Sequence, residues 1–249
     1  MTLHIFPDAQ AAAFAAAAEI VRCAEVAQTT RGHFTLALVG GSTPRAVYEL
    51  LASDEFMSVV DWSNVYVFWG DERCVPPDDA DSNYRMARLA LLDFVPIPMD
   101  HIYRFYGEME PEQAASAYED ALRTFFGERS HDETLKPNFD LVLLGMGDDA
   151  HTASLFPGTP ALTETERWVA AQYVEKLGVW RLTLTPPALN AADSVLFLVT
   201  GGSKAAALAA VLEGPRDPQR FPAQLIRPTS GNLSWYVDEA AAVGLQTPR

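Results

Sequence analysis

Four near-continuous apolar runs punctuate the chain, and each closes on a glycine-bearing polar turn. Phe34 to Val39 meets Gly40 and Gly41, "NVYVFW" meets Gly70, Phe139 to Leu144 meets Gly145, and Val195 to Val199 reaches Gly201 and Gly202. Runs that are apolar throughout, rather than alternating, predict strands buried on both faces. Helical periodicity lies between them: residues 8 to 27, with Asp8 as N-cap and Phe14, Ile20 and Val21 on the apolar face, the stretch after Pro44, Tyr84 to Leu92, Pro111 to Phe126, and a short helix opened by Pro186 and Pro187. The order strand, glycine turn, helix predicts an α/β protein with a mostly parallel sheet covered by helices on both faces. "RWVAAQYV", "VWRLTLTPPALNAA" and "AQLIRPTSGNLSWYVDEAA" predict a few additional strands toward the C-terminus, some antiparallel. With no repeat of fixed period and no long linker, residues 1–249 read as one domain.

Composition narrows the class. At 249 residues and 49% hydrophobic content the chain has ample material for a core. Its formal charge of -15 argues against non-specific nucleic-acid binding, which needs a basic field, but leaves room for a small phosphorylated substrate held by a local cationic cluster. Two cysteines, Cys23 and Cys74, make a disulfide framework unexpected and point to a reducing cytoplasm. The Ala-rich residues 9 to 18 lack a basic leader and are soon followed by Glu19 and Arg22, so a soluble helix is expected there rather than a signal peptide. No stretch approaches the roughly 20 apolar residues that span a bilayer.

In an open parallel sheet, ligands bind beyond the carboxyl ends of the strands. Four loops there carry the chemistry: Gly40 to Pro44, Gly70 to Arg73, Gly145 to Ser154, and Gly201 to Lys204. "GGSTP" places bare backbone N–H groups ahead of Ser42 and Thr43 at a helix start, either as a phosphate cradle or as an ordinary turn and cap. Lys204 in "GGSK" offers a point charge, and Arg181 a planar fork suited to phosphate. His151, in "LLGMGDDAHTASLFPG", suits a helix cap, a structural hydrogen bond, a metal ligand or a general base. Metal fits least, for no second His or Cys lies nearby; a Ser154 triad lacks a GxSxG elbow. A base fits the chemistry, because imidazole titrates near neutrality and a neighbouring carboxylate fixes its tautomer.

Taken together, "GGSTP", "WGDERCVP" with "DSNYRMA", "LLGMGDDAHTASLFPG", "RLTLTPPALNAA" and "TGGSK" resemble, in order, the motifs of the 6-phosphogluconolactonase family. The resemblance implies a Rossmann-like fold and hydrolysis of 6-phosphoglucono-1,5-lactone without metal or organic cofactor, by a monomer or small homo-oligomer. It also implies roles: His151 as the base that activates water, Arg73 positioning the lactone or stabilising its charge, and Gly41, Ser42, Thr43, Asp71, Arg181 and Lys204 binding the substrate and its phosphate. Amino-sugar-phosphate deaminases of similar pattern carry an acid where this chain has Phe156; a non-catalytic sugar-phosphate-binding protein is a further alternative. One departure stands out, since Ala150 occupies the family's usual glycine before the histidine. If that glycine serves a positive φ, alanine adds strain of order 1 kcal/mol; if the backbone is ordinary there, alanine is harmless.

Overall fold

The computed structural model describes residues 1–129 and 135–246. Nine strands are present among them: β1 (Thr2–Phe6), β2 (Phe34–Leu38), β3 (Val65–Trp69), β4 (Asp71–Arg73), β5 (Leu141–Leu144), β6 (Val169–Val174), β7 (Val179–Leu184), β8 (Val195–Val199) and β9 (Leu233–Asp238). Six of them form a parallel sheet in the order β1-β9-β8-β5-β2-β3, and the other three an antiparallel sheet in the order β4-β7-β6. The four apolar runs supply β2, β3, β5 and β8, and every residue of β2, β5 and β8 is buried. From β2 the chain moves to β3 on one side, whereas β5, β8 and β9 build outward on the other. Loops leaving β2 and β5 therefore diverge and open a crevice between them.

Helices flank the parallel sheet. Helix α1 (Ala9–Arg31) packs on α2 (Ser42–Leu51) and across β9, β2 and β8. The Asp8 side chain caps it by accepting from the Ala11 N–H, and Gly32 closes it in the left-handed conformation. Its buried stripe is made of alanines with Ile20 and Cys23, so the helix lies close to its neighbours. Phe14, expected on that face, lies well off the stripe at 100° per residue; it is exposed and meets Phe56 of α3 (Asp54–Met57) edge-on at 5.2 Å. Val21 is half-buried at the margin. Helix α4 (Asn83–Ala87) runs into a π-helical turn at 88–92, and α5 (Pro111–Arg129) covers β6 and β7. The short α6 (Pro186–Asn190), α7 (Ala205–Leu212) and α8 (Glu239–Ala242) complete the set.

Three elements differ from expectation. Gly70 to Arg73, read as a loop, contains β4, whose three residues pair with β7 as Asp71↔Thr183, Glu72↔Leu182 and Arg73↔Arg181. Three charged residues carry no apolar period, so only the tertiary pairing makes them a strand. The segment "AQLIRPT" is not extended: Pro222–Leu225 forms a 3-10 turn, as a proline without an N–H donor favours, and the strand begins at Leu233. Thr2–Phe6 adds an unanticipated edge strand, parallel to β9 and largely exposed.

Candidate active site

Beyond the carboxyl ends of β2, β3, β5 and β8 lies a cleft of about 260 Å³. Gly41, Ser42, Thr43, Asp71, Arg73, His151 and Lys204 all line it, joined by Asn83, Thr200 and the Gly145–Gly147 backbone. Arg181 stands outside this lining. It borders an adjoining groove with Cys74 and Trp180, whose wall Arg73 shares.

Two buried tyrosines fix the strand ends that feed the cleft. Tyr48 of α2 donates from its hydroxyl to the Val39 carbonyl (2.8 Å) and accepts from the Val39 N–H (3.0 Å), one residue before the Gly40–Gly41 turn. Tyr118 of α5 accepts from the Trp69 N–H at 2.9 Å, just before Gly70 and Asp71. Each substitutes a phenol for a ladder partner at the point where the strand stops, which keeps the loop origin fixed.

His151 Nδ1 lies 2.5 Å from Asp149 Oδ1. The other carboxylate oxygen accepts from Lys176 Nζ at 3.0 Å. The His151 hydrogen bond, aided by Lys176, holds the Asp149 carboxyl well below the usual carboxylate range. An ionised carboxylate only accepts, so the neutral imidazole carries its proton on Nδ1 and leaves the Nε2 lone pair as a base. Phe156 stacks on the ring at 4.2 Å and 24°, restricting its rotation. Gly147 backs the ring so closely that a Cβ there would lie 2.1 Å from Nδ1. Ser154 takes no part in the pair: its hydroxyl donates to Asp71 Oδ2 at 2.7 Å, and it is buried.

The opposite end of the cleft gathers backbone N–H groups and the Lys204 ammonium. Gly41, at φ 112°, precedes the first turn of α2, whose N–H groups have no intrahelical partner. Gly201, at φ 93°, opens the turn that carries Lys204, and its N–H is held by both carboxylate oxygens of Asp238 at 2.9 and 3.0 Å. The Thr43 and Thr200 hydroxyls, 3.0 Å apart, join the two turns. Among the described residues, Lys204, Arg73 and Arg181 have no carboxylate ion-pair partner, although the chain carries 33 acidic residues against 18 basic ones. Burial, and then the Arg73 charge across the strand pair, lower the Arg181 guanidinium below its ordinary value. Two unpaired guanidiniums side by side attract an anion.

These features agree with what the chain is similar to. A family profile described as "Glucosamine-6-phosphate isomerases/6-phosphogluconolactonase" matches residues 7–235. The chain belongs to this family. It is 48% identical over 218 residues to a 6-phosphogluconolactonase of Synechocystis sp., covering 87% of this chain and 86% of that one. It is 42% identical to a 6-phosphogluconolactonase of Nostoc sp. over 98% of each. The solved structure of 6-phosphogluconolactonase from Trypanosoma brucei superposes with a TM-score of 0.85 at 32% identity, over 98% of each chain.

Against the family's usual glycine, the structure decides the conformation of Ala150: φ is 61°, in the left-handed region, and the side chain is buried. Alanine is therefore strained there, by an amount of order 1 kcal/mol. The turn persists because hydrogen bonds over-determine it: Gly147 N–H to the His151 carbonyl (2.8 Å), Ala150 N–H to the Gly147 carbonyl (3.1 Å), and Ala223 N–H to the Ala150 carbonyl (3.0 Å). Ala153, at φ 46°, repeats the conformation three residues on.

Sequence reasoning overlooked Asn83, Gly147, Tyr48, Thr200 and Lys176. Asn83 is buried, donates to the Asp71 carbonyl at 2.9 Å, and packs where a Gly40 Cβ would meet it at 1.8 Å. The buried Glu72 holds this segment by accepting from Asn83 N–H (2.7 Å), Tyr84 N–H (2.8 Å) and the Ser82 hydroxyl (3.1 Å). Asn83 was within reach, since "DSNYRMA" starts with a cap pattern. Gly147 and Tyr48 act on near neighbours, His151 and Val39, through contacts that no periodicity marks, whereas Thr200 and Lys176 depend on partners far away in the chain.

Proposed function

We infer that this chain hydrolyses 6-phosphoglucono-1,5-lactone to 6-phosphogluconate, the second step of the oxidative pentose phosphate pathway, with His151 as the general base. One observation carries the reading: His151, hydrogen-bonded to Asp149, shares a single cleft with the Gly41–Thr43 helix start and Lys204. Phosphate bound at the glycine turns and Lys204 fixes the sugar from its far end, so that binding energy remote from the reacting carbon orients the carbonyl. Nε2 takes a proton from water as its oxygen bonds to C1, and the carbonyl oxygen becomes an oxyanion beside the Arg73 guanidinium. When the intermediate collapses, the C1 to ring-oxygen bond breaks and the imidazolium returns its proton to that oxygen. Atoms and charge balance without a cofactor.

We place Arg181 with Arg73, at the reacting end, rather than with Lys204 at the phosphate, because the two arginines face each other across the β4–β7 pair. The deaminase alternative needs an acid to open a sugar ring. Phe156 occupies that position and lies flat on the imidazole, leaving an apolar surface there. A cytoplasmic setting accords with free thiols at Cys23 and Cys74; no helix among the described residues is long and apolar enough to cross a membrane.

The test adds purified protein to lactone generated in situ and follows acid release above the spontaneous rate. Replacing His151 by alanine should cost about 10²–10⁴-fold in kcat while 6-phosphogluconate still binds. No acceleration by the wild-type protein would remove the lactonase reading, and near-normal turnover in His151→Ala would remove the base.

A further inference from the structure

The second carboxylate oxygen of Asp149 is taken by a residue from another part of the fold. Lys176 lies at the tip of the β6–β7 hairpin, and its ammonium reaches Asp149 Oδ2 at 3.0 Å while Oδ1 faces His151. Among the described residues this is the ion pair that ties the hairpin to the histidine turn. A lysine holding a surface carboxylate contributes little to stability, especially one as exposed as this. Its position has chemical consequences instead. We propose that Lys176 is a positioning residue for the lactonase reaction, the outer member of a Lys176–Asp149–His151 relay that sets the orientation and basicity of His151. The proposal rests on the reading of His151 as the base.

Held at Oδ2 by Lys176 and at Oδ1 by the His151 backbone N–H (3.2 Å), the carboxylate is biased to face Nδ1, which favours the tautomer that frees Nε2. The lysine charge also partly offsets Asp149. A lone carboxylate would stabilise the imidazolium and keep the ring protonated to higher pH; the ammonium beyond it opposes this. Other charges near the ring come from each surrounding element: Asp148 on its own turn, Glu175 beside Lys176 on the hairpin, Asp71 and Arg73 on β4, and Lys204 across the cleft. All are unchanged when Lys176 alone is replaced, so a difference between variants reports the lysine.

Turnover needs the unprotonated ring, and removing Lys176 favours the protonated one, so the acid limb of the pH–rate profile moves to higher pH. One unit charge acting through solvent across a carboxylate is worth about 0.4 pH unit at low ionic strength. At 1 M salt the Debye length is about 3 Å and the difference should vanish. The experiment compares wild type, Lys176→Gln and Lys176→Arg, each with ring-labelled histidine, following the His151 resonances by NMR and the rate in parallel. Resonances are assigned by their loss in His151→Asn. Lys176→Gln should raise both the ring midpoint and the acid limb by about 0.4 unit, Lys176→Arg should leave them in place, and high salt should merge the three. A ring midpoint unchanged in Lys176→Gln at low salt overturns the proposal, even if stability or plateau rate has fallen. If the ring midpoint moves but wild type shows no lactone hydrolysis, the relay stands and the lactonase reading fails.

Discussion

The two ends of the cleft are built on opposite plans. At the end we assign to the phosphate, Gly41 and Gly201 supply positive φ without strain, and exposed backbone lines the cleft with Lys204. At the histidine end, positive φ falls on two alanines, Ala150 and Ala153, and a side chain is fixed by a carboxylate, an aromatic face and a glycine it nearly touches. Holding a phosphate requires donors in roughly the right place, and local turn chemistry provides them. Aiming one nitrogen at the attacking water, the role we propose for His151, requires tertiary packing on every side, because misplacement by about 1 Å can cost 10²-fold. The phosphate end should therefore govern KM and the histidine end kcat.

The sharpest way to break that division is Gly147→Ala. The added Cβ falls 2.1 Å from Nδ1 and 2.2 Å from Cε1 of His151, so the imidazole must leave its place against Asp149. A fall of about 100-fold in kcat is expected, with KM for the lactone changed by less than about threefold. If KM rises and kcat stays, His151 is a binding residue and the division collapses.

Lys204→Ala addresses the other end. Losing a charge-assisted hydrogen bond to phosphate costs about 2–3 kcal/mol, so KM should rise roughly 30- to 150-fold, while kcat at saturation falls much less. Saturation kinetics on the lactone separate the two parameters. Equal loss in kcat and kcat/KM would show that the lysine acts in the transition state instead.

The same contrast explains what was legible in the sequence. Runs such as Phe34 to Val39 and Val195 to Val199 announce buried strands, and a glycine pair after each announces a turn, because these are local properties. The phosphate end is made of such signals. Asp71 to Arg73 gave no strand signal, for three charged residues become β4 only by pairing with β7. Tyr48 carries no sequence signal for its role, because nothing local marks a hydroxyl that clasps Val39. His151 was visible as a motif, but its link to Lys176 spans 25 residues and a hairpin whose tip could not be placed from periodicity. Ala150 stayed open for a related reason: composition does not reveal φ.

The smallest expected effect is at Ala150, and it tests how firmly the histidine turn is held. Replacing it by glycine relieves about 1 kcal/mol of left-handed strain. Against this stand the greater freedom of glycine in the unfolded chain, about 0.4–1 kcal/mol, and the loss of one buried methyl, about 0.8 kcal/mol. These contributions nearly cancel, so the melting temperature should move by less than about 4 °C and kcat by less than about twofold. Valine at the same position combines a β-branched side chain at φ 61° with a site of 0% exposure, and should destabilise by about 3 kcal/mol or more. Thermal melts and kcat on both variants make the comparison. A tenfold gain in kcat from Ala150→Gly would mean that alanine displaces His151, and that the hydrogen bonds from Gly147 and Ala223 hold the turn less tightly than their geometry implies.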